Sequence, residues 1–75
     1  MIVEKVTKKM LAEMKPKENT IFTVPSWNKA RSAQSLANQQ KRETAGTSEP
    51  REYSAVIGDL IKETGQYTVS ITRLV

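Results

Sequence analysis

Val3, Val6, Met10 and Met14, with Leu11 beside them, recur at steps of three and four residues near the N-terminus, and Lys5, Lys8, Lys9 and Glu13 fall mostly between them. That period gives a helix one apolar face, so the pattern predicts an amphipathic helix over residues 2–14. Glu4 and Lys8 stand four apart in the favourable order. Pro16 restricts Lys15 and ends the helix there. The period then changes. Thr20, Ile21, Phe22, Thr23 and Val24 are all β-branched or aromatic and read as a short strand. Phe22 and Val24 would share one face, Ile21 and Thr23 the other. Pro25 cannot donate to a ladder and stops the strand.

Ser26 is a good N-cap, and a second helix is predicted over residues 27–43. Its inward stripe would be Trp27, Ala30, Ala33, Leu36 and Ala37. Such small residues require a close approach to whatever lies beneath. Residues 44–50, Thr-Ala-Gly-Thr-Ser-Glu-Pro, have loop composition. Further on, Tyr67, Val69 and Ile71 alternate with Thr68, Ser70 and Thr72 in the strict period of a half-buried strand. Residues 53–63 fit two structures. Tyr53, Ala55 and Ile57 alternate with Ser54 and Val56 as a partner strand, with a turn at Thr64 and Gly65. Tyr53, Val56, Ile57, Leu60 and Ile61 also fit a third helix stopped by Gly65, in which Gly58 would cost about 1 kcal/mol relative to Ala. The hairpin is the preferred reading. The expected architecture is therefore α+β: one small domain over residues 1–75, in the order helix, strand, helix, strand, strand. Two helices pack on one face of a small antiparallel sheet, and a helix over 53–63 is the alternative to its middle strand.

Composition narrows the chemistry more than the fold. The 75 residues include no His and no Cys, which removes the imidazole base, the thiol nucleophile and the usual zinc ligands. Glu49 with Glu52, and Asp59 with Glu63, are the carboxylate pairs at close spacing, and neither implies a convergent pocket. Gly46, Gly58 and Gly65 are isolated and make no phosphate loop. A protein that is not an enzyme and uses no metal or cofactor is expected. No apolar run reaches the length of a signal peptide or membrane helix, so a soluble cytoplasmic chain without membrane contact is expected. The apolar face of the first helix lacks Trp and Phe and carries Glu4 and Glu13 nearby, which assigns it to the core rather than to a lipid surface.

The net charge of +4 is unevenly spread. Residues 1–17 and residues 26–43 each carry a local +3, whereas residues 44–75 carry −1. On the second helix Arg31, Gln34, Asn38 and Lys41 step by three or four, with Ser35 and Arg42 alongside, so one polar face is expected. Arg, Asn and Gln match base edges, Lys41 and Arg42 suit phosphates, and the amides of Trp27 and Asn28 at the helix start suit another. A basic helix followed by a ribbon resembles a winged helix-turn-helix protein in outline, although only one helix precedes the hairpin where that fold uses two. The expected function is a small DNA- or RNA-binding accessory or regulatory protein. It would use Lys29, Arg31, Gln34, Ser35, Asn38, Lys41 and Arg42, with help from Arg73. The alternative is a protein-interaction module, a small inhibitor or adaptor using the sheet edge or the Trp27 corner; a homodimer formed through an open sheet edge is a third. Trp27 could stack on a base or anchor a partner protein, and the preferred reading is that it closes one end of the core.

Overall fold

Thr7 decides where the first helix begins. In the computed structural model, which describes residues 2–75, Thr7 has extended backbone and its hydroxyl accepts the Met10 amide as an N-cap. Helix α1 is therefore only Lys8–Ala12. The residues before it do not form the helix expected from residue 2. Ile2 instead bridges Thr23 in parallel, and the Val3 amide donates to the Thr23 carbonyl at 2.9 Å. Ile2, Val3, Val6 and Thr7 are β-branched and lose side-chain freedom in a helix, so pairing along a strand edge competes well. The apolar positions still reach the core: Val6, Leu11 and Met14 are buried, with Val3 and Met10 packed against them.

Strand β1 is Asn19–Val24, helix α2 is Trp27–Thr44, and strands β2 and β3 are Tyr53–Ile61 and Gln66–Arg73. The sheet order is β1-β3-β2, with both neighbouring pairs antiparallel. The architecture is α+β in the expected order, and residues 53–61 are strand. The hairpin turns through residues 62–65, where Gly65 at φ 73° donates its amide to the Ile61 carbonyl at 2.8 Å. Because β1 joins the hairpin in one sheet and α2 packs on β2 and β3, the ribbon is not the free wing of the outline above.

Alternation sorts the sheet into two faces. Phe22, Val24, Tyr53, Val69 and Ile71 point inward and are buried with Ala30, Ala33 and Ala37 of α2. Those alanines let the helix backbone come close to the strands, which a stripe of large residues would prevent. Asn19, Ile21, Thr23, Val56, Thr68, Ser70 and Thr72 occupy the other face, and Ile21 and Val56 are 54% and 59% exposed. The Asn19 amide nitrogen donates across that face to the hydroxyls of Ser70 and Thr72 at 3.0 and 2.8 Å. In β2 the pairing shifts between Ile57 and Leu60 as a bulge. Gly58 sits in it because a Cβ there would lie 2.2 Å from the Thr68 hydroxyl oxygen.

The two helices are tied together at the far end of α2. Lys8 Nζ lies 3.2 Å from Glu43 Oε1, and Gln40 Nε2 donates to Glu43 Oε2 at 3.2 Å. Thr44 is buried, and its hydroxyl accepts the Arg51 amide at 2.9 Å while lying 2.7 Å from the Gln40 carbonyl. Tyr53 donates its hydroxyl to the Leu11 carbonyl, which fixes α1 over the start of β2.

Candidate nucleic-acid interface

Which side chains of α2 reach solvent follows from where its alanines point. Ala30, Ala33, Ala37, Gln40 and Thr44 face the sheet, so the diametrically opposite crest carries Asn28, Arg31, Ser32, Ser35, Asn38 and Arg42, all exposed. The helix starts cleanly because the Ser26 hydroxyl accepts the Lys29 amide at 3.3 Å. Its one acidic residue, Glu43, is turned aside to Lys8 and Gln40. The crest is therefore free of carboxylates along its length.

The eight residues expected at the site do not all meet. Arg31, Ser35, Asn38 and Arg42 share the crest. Gln34 lies on the β2 flank, where its Nε2 donates to the Ala55 carbonyl at 3.1 Å and its Oε1 stands 3.5 Å from Arg31 Nη1. It braces Arg31 from behind instead of reaching outward. Lys41 lies on the same flank, 3.1 Å from Glu52 Oε1. Lys29 is half-buried on the opposite flank. Arg73 is elsewhere altogether: its guanidinium donates to the carbonyls of Met14 and Val75, so it clamps the chain beyond α1 to the end of β3. Among the described residues two cations on the crest make no ion pair, Arg31 and Arg42, eleven residues and so about 16 Å apart.

Three residues outside that expected set join them. Asn28, Ser32 and Gln39 line an open groove of 570 Å³ on the α1 side of the crest, together with Arg31, Ser35, Leu36 and Val6. None of the seven lining residues is acidic. Trp27 does not close the core. It is 48% exposed at the first residue of α2, with its ring centroid 5.5 Å from that of Tyr67 at an interplanar angle of 66°. Counting on from it, Trp27, Arg31, Asn38 and Arg42 fall on one line by helical spacing. The signal was present in the spacing; what hid it was the expectation that a lone indole goes inward.

Among the described residues no three carboxylates gather as they would around a metal ion. No described helix is long and apolar enough to cross a membrane. Comparison of the chain with protein-family models, with curated proteins and with solved structures finds no match. The fold and this surface define a small α+β domain that presents one long polar helix on a sheet.

Proposed function

We propose that the protein is a small non-enzymatic nucleic-acid-binding accessory or regulatory protein, and that the crest of α2 is its contact surface. The observation that carries this reading is the acid-free crest: among the described residues Arg31 and Arg42 have no carboxylate partner, and Ser35 and Asn38 stand between them. A polyanion meets attraction and no repulsion on such a face, and Arg and Asn are side chains suited to phosphates and base edges. Lys29, Gln34, Lys41 and Arg73 serve the fold and the field around the crest, not the contact itself.

The test compares two charge-matched double variants in a retention assay across a salt series from about 50 mM. Arg31→Ala with Arg42→Ala removes the unpaired cations. Lys8→Ala with Lys41→Ala removes the same charge from ammoniums already paired with Glu43 and Glu52. The first pair is expected to weaken binding more and to lower the salt slope by about 0.7 to 0.9 per Arg. Equal losses from the two pairs, or no retention of the unaltered protein, would overturn the reading.

A second reading, a protein-interaction module without nucleic-acid affinity, draws on the open sheet face, where Ile21 and Val56 are more than half exposed among uncharged neighbours. Complex formation that persists in high salt and fails in Val56→Lys would favour it.

A further inference from the structure

We infer that the nucleic acid taken by this face is a single strand, with a base stacked on Trp27 and neighbouring phosphates held by Arg31 and Arg42; the inference rests on the nucleic-acid reading above.

The first support is the indole. At 48% exposure Trp27 lies outside the buried core, yet it is held in place by the Tyr67 ring, itself paired in the sheet opposite Leu60. A T-shaped contact engages one edge or one face of the indole and leaves ring surface open to a second flat partner. An ordered, half-open aromatic ring is what a splayed base needs and what the stacked interior of a duplex cannot use.

The second support is the scarcity of charge. Duplex binders commonly neutralise about six to ten phosphates, and their affinity follows from the counterions released. Two unpaired guanidinium groups on the crest are too few for that. A single strand draws instead on stacking, worth about five-fold to a hundred-fold or more in affinity per base, so sparse cations suffice.

Spacing is the third. Arg31 is one turn, about 6 Å, from Trp27, so the phosphate of a base lying on the indole is within reach of its guanidinium. Arg42, about 16 Å further along, meets the backbone a few nucleotides on. The groove beside the crest offers the amides of Asn28 and Gln39 and the hydroxyls of Ser32 and Ser35, neutral donors and acceptors suited to unpaired base edges.

Trp27 is the only tryptophan in the chain, so the unaltered protein reports on its own site. The full chain is titrated at about 50 mM salt with a thymidine oligonucleotide of about twelve nucleotides and with a duplex of equal length. Tighter binding of the single strand, with quenching of the Trp27 emission, is the expected result. Trp27→Leu, checked for an unchanged melting profile, is expected to lower single-strand affinity about five-fold or more and to leave duplex affinity unchanged. Equal or tighter binding of the duplex with unquenched emission overturns the single-strand inference and leaves nucleic-acid binding standing. Binding of neither overturns both. If Trp27→Leu melts early, quenching and strand preference in the unaltered chain still decide.

Discussion

Replacing Thr44 by Val tests how the long helix is joined to the strand that follows. Thr44 is 8% exposed, and its hydroxyl oxygen accepts the Arg51 amide at 2.9 Å. The one hydroxyl proton has two carbonyls within reach, that of Gln40 at 2.7 Å and that of Arg51 at 3.2 Å. Val keeps the shape and one methyl in place of the oxygen. The Arg51 amide then loses its acceptor, a loss of about 1–3 kcal/mol, offset by somewhat under 1 kcal/mol for the added apolar group. A net loss of about 1–2 kcal/mol is expected. In a domain of this length each kcal/mol moves the melting temperature by about 4–8 °C, so a fall of about 5–15 °C should appear in thermal melts and a matching shift in urea titrations. Thr44→Ser removes the methyl and keeps the oxygen, so the two variants can cost similar amounts; hydrogen exchange separates them. The Arg51 amide should exchange faster in Thr44→Val and stay protected in Thr44→Ser. Unchanged exchange at Arg51 in Thr44→Val would refute the idea that this hydroxyl closes the loop.

Two further outcomes concern close approach. Gly58→Ala places a Cβ 2.2 Å from the Thr68 hydroxyl oxygen and should destabilise by about 1–3 kcal/mol; Thr68→Ala in the same chain should return most of it, and a double-mutant cycle with coupling below about 0.5 kcal/mol would count against the contact. Ala37→Leu inserts bulk where α2 meets the sheet and should cost about 1–3 kcal/mol in urea unfolding, whereas Asn38→Leu, one residue on and exposed, should change stability by less than about 0.5 kcal/mol.

Much of the fold was legible because local pattern and burial agree. The alternation through Phe22, Val24, Val69 and Ile71 gives the buried face of the sheet, and Ser26 with the alanine stripe gives α2 to within a residue. The N-terminal stretch was misread because steps of three and four count apolar positions without saying how the chain connects them. A short helix entered at Thr7, after an extended segment on the β1 edge, buries Val6, Leu11 and Met14 equally well. The site was legible as a helix but not as a face. Sequence spacing groups Gln34 and Lys41 with Arg31, yet which of them reach outward depends on the Ala55 carbonyl and the Glu52 carboxylate, partners supplied by a distant strand and the loop before it. Arg73 lies on the core side of β3 by alternation, and only the tertiary fold brings the Met14 carbonyl to it.

The bridge between Ile2 and Thr23 has a bearing on how copies of the chain can aggregate. A sheet with two bare borders adds strands on both sides and can grow without limit. Here one border is occupied at Thr23 by the chain's own N-terminal segment, and the other carries Gln34 on the Ala55 carbonyl and the bulge around Gly58. Each border thus carries a local obstacle to strand addition. Bulky fusions ahead of Ile2 that displace the bridge would bare the Thr23 end of β1 to strand addition.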